Sequence, residues 1–235
     1  MTVLDHLLAF ALAVGFPVFH VLANPKVQRA IEAGEPGRKV RDYWHTLFEL
    51  WFQGLAVAAL WVWAGREWWE LGLWQPEGWA FWLMALGLVA LGLFGVYQYR
   101  AVRESESTKE QLRARMAYLE YLLPASPKEV KLFSALSVSA GVCEEIAYRG
   151  FLIWYFLGWS GLTGGLPGAV VLSSVAFGLA HLYLGWRDAL RSAATGAVLA
   201  GVYLASGTLW LAIALHAMID LNSGAIGWAA FGRKQ

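Results

Sequence analysis

Residues 141–151 read GVCEEIAYRGF, and the reading of this stretch decides the fold. Glu144, Glu145 and Arg149 stand inside a segment that is otherwise long and apolar. A single charge at bilayer depth costs about 2.5–3.5 kcal/mol on insertion scales. Three charges so close together need partners, so the stretch marks an intramembrane site. The rest of the chain is read as supplying, placing or covering it.

The composition around the stretch is that of an integral membrane protein. Of 235 residues, 58% are apolar and only 15% are charged, with 15% aromatic. Soluble domains lie nearer about 45–50% apolar and about 25% charged. The single cysteine, Cys143, excludes an internal disulfide framework and cannot complete a cysteine-based zinc site. The N-terminus has no basic n-region, so Met1 to Leu22 is expected to be a retained first span.

A bilayer core needs roughly 20 apolar residues per helix. Seven segments qualify: Val3 to Leu22, Trp44 to Trp63, Trp79 to Tyr99, Leu132 to Trp159, Gly165 to Tyr183, Ala189 to Ala205, and Leu209 to Phe231. An eighth short helix near the C-terminus is the alternative count. The net charge of +1 hides a segregation of basic residues by loop. Lys26, Arg29, Arg38, Lys39 and Arg41 follow the first span, and seven more, from Arg100 to Lys131, follow the third. Arg187 and Arg191 follow the fifth, and Arg233 and Lys234 end the chain. Of 18 basic residues, Arg66 alone falls in the opposite loops and Arg149 lies within a span. The positive-inside rule then puts the N-terminus outside and the C-terminus in the cytoplasm. The compartment expected is the cell (plasma) membrane. Tryptophans such as Trp68, Trp69, Trp74 and Trp79 gather at the outer ends of the second and third spans, as an aromatic belt requires.

The expected fold class is all-α: a polytopic helix bundle with a conical cavity lined by the fourth, fifth and seventh spans. Residues 1–235 form one integral membrane domain, with residues 132–231 as its helical core. Residues 100–131 form a cytoplasmic loop with an amphipathic helix, its apolar side at Leu112, Met116, Leu119 and Leu122 or Leu123. Ser107 or Thr108 is its expected cap, and Pro124 and Pro127 stop it. A substrate-gating role is the alternative to a surface helix. The small residues of the sixth span, among them Gly196, Ala197, Ala200 and Gly201, suit close helix packing.

Helical spacing assigns the charges. Glu145 and Arg149 are four apart with glutamate N-terminal, the better orientation for a pair. Glu144 and Tyr148 form a second pair about 100° round the helix. One carboxylate is thus neutralised while the other is left for general base work. His181 follows Phe177 by four residues, so the ring can pack on the imidazole. His216 precedes Asp220 by four, so that carboxylate can orient it. His6, His20 and His45 have interfacial positions. Carboxylates with imidazoles suggest a water-activating site. A zinc site is the chemical rival, but the histidine-glutamate-x-x-histidine signature is missing. Cys143 is expected to be a small buried hydrophobe.

EEIAYR at Glu144–Arg149, FGLAH at Phe177–His181 and HAMID at His216–Asp220 together resemble the CPBP family (CAAX proteases and bacteriocin-processing enzymes, also called ABI). These are glutamate-type intramembrane proteases. The motifs cover roughly residues 142–221, and the first three spans are not diagnostic. The resemblance implies that Glu144 is the general base and works with His181 to activate water. It implies that His216 and Asp220 stabilise the oxyanion, and that Glu145 and Arg149 support the site. It implies no metal and no cofactor. Asp220 departs from the asparagine common in the prenyl-protein proteases. Either it is protonated and donates, or it orients His216 and the imidazole alone donates.

The function expected is therefore a metal-independent intramembrane endopeptidase acting on a membrane-associated peptide or lipidated protein, a prenylated CAAX-type substrate among the candidates. Its partners are the bilayer and that substrate, with no nucleic acid; the oligomeric state is open. The alternatives are a non-proteolytic membrane scaffold or bacteriocin-immunity protein of the same fold, and a proton-coupled carrier.

Overall fold

The computed structural model describes residues 1–75 and 78–232, and their regular structure is entirely helical. The first helix, α1, runs from Val3 to Glu32. It is followed by α2 (Arg38–Trp63), α3 (Gly78–Glu104) and the short α4 (Glu106–Met116). Next, α5 (Pro127–Glu144) continues through a π-helical turn (Glu145–Leu152) into α6 (Ile153–Leu157). After the single turn α7 (Ser160–Thr163) come α8 (Leu166–Ala180), α9 (Trp186–Ser206) and α10 (Leu209–Phe231).

Among the described residues, five helices are long and apolar enough to cross a membrane: α1, α2, α3, α9 and α10. They coincide with the first, second, third, sixth and seventh expected spans. The fourth is the continuous α5–α6 unit, kept from that group by its own charged residues. The fifth, α8, is shorter than expected. It ends at Ala180, and its 15 residues rise about 22 Å, against a core of about 30 Å. His181 occupies its C-cap, and Leu182–Leu184 form a 3-10 turn. No eighth helix interrupts the C-terminal part, because α10 is continuous from Leu209 to Phe231. Arg233 and Lys234, used above for the orientation, lie outside the described residues.

Glycines set how closely the helices around the site approach. A methyl placed on Gly141 of α5 would sit 2.8 Å from the Ile213 carbonyl oxygen of α10 and 3.0 Å from Ala217. One placed on Gly178 of α8 would sit 2.6 Å from the Ala189 carbonyl of α9. Both are backbone-to-backbone contacts, the kind from which packing energy in lipid is drawn. By contrast α3 is hardly buried in the bundle and leans on α10 alone along its length, with Gly95 against Asn222.

At the end opposite the basic loops, the lone Arg66 is fully engaged. Its guanidinium donates two hydrogen bonds to the buried Asp5, at 2.8 and 2.6 Å, and lies against the rings of Trp61 and Trp154. Asp5 also accepts from Thr2 at the start of α1. This cluster ties α1 to the turn after α2 and to α6.

The loop between α3 and α5 differs from the single surface helix expected. Ser105, not Ser107 or Thr108, caps α4, accepting from the Thr108 N–H at 3.3 Å. The helix stops at Met116, before Leu119 and Leu122. The chain then tucks under the bundle: Leu123 is buried against Gly227, and Tyr43 donates to the Leu122 carbonyl at 2.5 Å. Lys39 donates to the Glu120 and Leu123 carbonyls, and Arg113 to that of Ala230. These carbonyls lie beyond a helix end and need donors, which the flanking helices supply.

Candidate active site

The winding of the chain changes from α to π between Glu144 and Glu145. A wider turn alters the angular spacing of its side chains and is common at functional sites. Neighbouring α8 reaches into it, with Ser173 Oγ donating to the Tyr148 carbonyl at 2.6 Å. The pairing of Glu144 with Tyr148 expected for an ideal helix does not form. The Tyr148 hydroxyl instead donates to the Leu12 carbonyl of α1 at 3.4 Å.

The two glutamates have different surroundings. Glu145 is 0% exposed, and its Oε1 accepts from Arg149 Nη1 at 2.8 Å and from His216 Nδ1 at 2.7 Å. Arg149 is 1% exposed, with its guanidinium 4.1 Å over the Phe177 ring. A buried carboxylate shared by a guanidinium and an imidazole satisfies the demand that buried charges be paired. Glu144 keeps 18% of its side chain exposed and faces a cavity.

His216 links the two. With its Nδ1 hydrogen donated to Glu145, its Nε2 is left facing Glu144 Oε2 at 3.5 Å and Asp220 Oδ2 at 3.7 Å. The carboxylate that orients the ring is thus Glu145, from a different helix, in place of the expected Asp220. The Phe177 ring meets His216 edge-on at 5.7 Å and packs on His181 at 4.7 Å. His181 donates from Nδ1 to the Phe177 carbonyl at 2.8 Å, which leaves its Nε2 as the acceptor nitrogen. This bond is available because Phe177 sits in the last turn of α8, where carbonyls lack helical partners.

Glu144, His181 and Asp220 line one cavity of about 540 Å³. The expected lining by the fourth, fifth and seventh spans is incomplete, because α1 and α2 build the facing wall. From α1 come His20 and Asn24, and from α2 come Arg38, Asp42, His45 and Glu49. His20 Nε2 meets Glu49 Oε2 at 3.1 Å, and Tyr183 bridges the His20 and His181 rings. These residues escaped the sequence reading, although Glu49 is a carboxylate within the Trp44–Trp63 span and so carried the same energetic warning as Glu144. Cys143 is buried beside Gly54, with a thiol 3.1 Å from where a methyl there would lie. Asn222 turns away from the cavity and donates to Gln98 of α3 at 3.4 Å.

The described residues include no cluster of three or more histidine, cysteine or carboxylate side chains arranged to hold a metal. The cavity therefore offers carboxylates, imidazoles and space for a peptide. No curated protein and no solved structure gives a significant match to the chain. A family model does: residues 126–222 match the type II CAAX prenyl endopeptidase, Rce1-like. Glu144, Glu145, Arg149, His181, His216 and Asp220 all fall inside that segment, and through it the chain carries a domain of the Rce1-like type II CAAX prenyl endopeptidase (CPBP) family.

Proposed function

We propose that this chain is an intramembrane endopeptidase in which Glu144 and His181 activate water without a metal. The single observation that carries the reading is the meeting of Glu144, His181 and Asp220 on one cavity, with His216 Nε2 directed at two of them. Glu144 takes a proton from water, held also by His181 Nε2, and the water oxygen bonds to the scissile carbonyl carbon. His216, with a proton on each nitrogen, donates from Nε2 to the oxyanion while Nδ1–H stays on Glu145. Asp220 donates as the acid or holds His216 as the anion. The carbon–nitrogen bond then breaks, and the proton held by Glu144 passes to the departing amine. Glu145 and Arg149 keep His216 in one tautomer and one orientation.

The chain crosses the bilayer seven times, with the N-terminus outside and the cavity mouth on the cytoplasmic side. The orientation rests on the segregated basic loops, and the mouth on the side of Lys39 and Leu123. The substrate is a membrane-associated protein or peptide, and a prenylated C-terminus fits a site reached at the membrane surface. Incubating a membrane-peptide library with the purified protein and reading products by mass spectrometry tests this. Glu144→Gln and His181→Ala each abolish cleavage in folded protein. Full activity in either variant refutes the mechanism, and absence of any product with wild type favours the scaffold reading.

A further inference from the structure

The cavity contains a charge that the chemistry above does not use. Arg38, the first residue of α2, lines the same cavity as Glu144, His181 and Asp220. Among the described residues it takes part in no salt bridge, and its Nε is buried with no hydrogen-bond partner. Asp42, one turn along, feels its charge but is not bonded to it. The remaining charged residues on the wall, histidines aside, are acidic: Asp42, Glu49, Glu144 and Asp220. A peptide ending in a free carboxylate can therefore lie in this cavity favourably in one sense only. Its anionic end is drawn to Arg38, and its neutral or basic body lies along the acidic wall.

The depth of the cavity sets a length. The helices α2 and α5 run side by side in the same direction: Tyr43 meets Phe133, Trp51 donates to Ser139 at 3.1 Å, and Gly54 abuts Cys143. Glu144 is therefore level with the residue after Gly54. From Arg38 to Gly54 the helix rises about 24 Å. An extended chain covers about 3.3–3.6 Å per residue, so the gap is at most about seven residues and about five once the arginine's own reach is subtracted.

We propose that Arg38 anchors the C-terminal carboxylate of the substrate and so sets a departing segment of about five residues, longer than a tripeptide. The proposal rests on the protease reading and names its substrate class: a short free-acid C-terminal tail. A phosphate of an anionic lipid presents the same chemistry to a guanidinium, and the test separates the two.

A library peptide that is cleaved is remade with three to eight residues after the scissile bond, each as free acid and as C-terminal amide. Cleavage is measured in zwitterionic phosphatidylcholine nanodiscs and again with phosphatidylglycerol added. A charged hydrogen bond of this kind is worth about tenfold or more, so the wild type prefers the five-residue acid over its amide by about that factor. The preference lies in KM and is unchanged by phosphatidylglycerol. Arg38→Gln cleaves acid and amide alike at the rate of the wild-type amide, and Arg38→Lys retains part of the preference. Equal rates for acid and amide in wild type overturn the anchor. So does an Arg38→Gln effect that depends on phosphatidylglycerol, or an optimum at three residues. If no peptide is cleaved, the protease reading has failed, and binding of a fluorescent acetylated octapeptide of Ala, Leu and Ser decides the anchor alone. Tighter binding of its acid than its amide, lost in Arg38→Gln, upholds the anchor, and equal binding overturns it.

Discussion

Gly141→Ala is the substitution from which the geometry demands most. The added methyl would lie 2.8 Å from the Ile213 carbonyl oxygen and 3.0 Å from both the nitrogen and Cβ of Ala217. Comfortable contact is about 3.5–4.0 Å, so α5 and α10 must part by roughly 0.5–1 Å. The obstructing atoms belong mostly to backbone, so a rotamer change cannot relieve them. Alanine gains about 0.8–1.0 kcal/mol over glycine within a helix, while overpacking costs about 1–3 kcal/mol. The net loss of stability is therefore up to about 2 kcal/mol. The effect on rate is larger. The same two helices hold the Glu145–His216 bond, now 2.7 Å, and parting them takes it beyond about 3.2 Å, where such bonds weaken. A misplacement of about 1 Å costs about 10²-fold in rate, so a drop of about 10- to 100-fold in kcat is expected. Cleavage kinetics with thermal melting in detergent measure both. Gly87→Ala is the control, because nothing lies within 4 Å of a methyl there. Wild-type kinetics and melting for Gly141→Ala would refute the claim that this crossing sets the alignment.

Arg149→Lys keeps the charge but loses the planar group that both bonds Glu145 and stacks on Phe177. A fall of about tenfold or more in activity, together with a lower melting temperature, is expected; unchanged kinetics would show that charge alone suffices. Cys143→Ala retains cleavage, and a maleimide modifies wild-type Cys143 only after denaturation, because the thiol is buried. Loss of cleavage in Cys143→Ala with an unchanged melting profile would revive the thiol as a participant. Dialysis against a strong chelator leaves the rate unchanged. A loss restored by added zinc would sink the metal-free mechanism.

Much of the helical frame was legible because apolar length and loop charge are strong, additive signals. Pairs four residues apart on one helix were also readable: Glu145 with Arg149, and Phe177 with His181. What escaped is what depends on a second helix. Glu145 holds His216, 71 residues away in sequence, and no spacing rule relates two separate segments. The same is true of His20 with Glu49, and of Arg38, whose place on the cavity wall depends on how α2 packs beside α5. The early end of α8 at Ala180 was hidden by the apolar residues that continue past it, because hydropathy does not register where helical hydrogen bonding stops. Ser105 was passed over as the cap for a similar reason. Several hydroxyls stand close together there, and only backbone geometry decides among them.

The turn Glu145–Leu152 has a consequence for how this stretch tolerates change. A π turn amounts to an α-helix with one residue spliced in, so its register depends on residue number more than on residue identity. Removing a single residue such as Ile146 lets the ladder revert to ordinary winding. Everything after the deletion then turns by about 100° relative to Glu144. Arg149 leaves the Phe177 face, and Gly150 no longer meets the Leu71 carbonyl, now 2.9 Å from where its methyl would be. A deletion here is thus worse than most substitutions, because it changes the phase between the glutamate facing the cavity and the arginine that neutralises its neighbour.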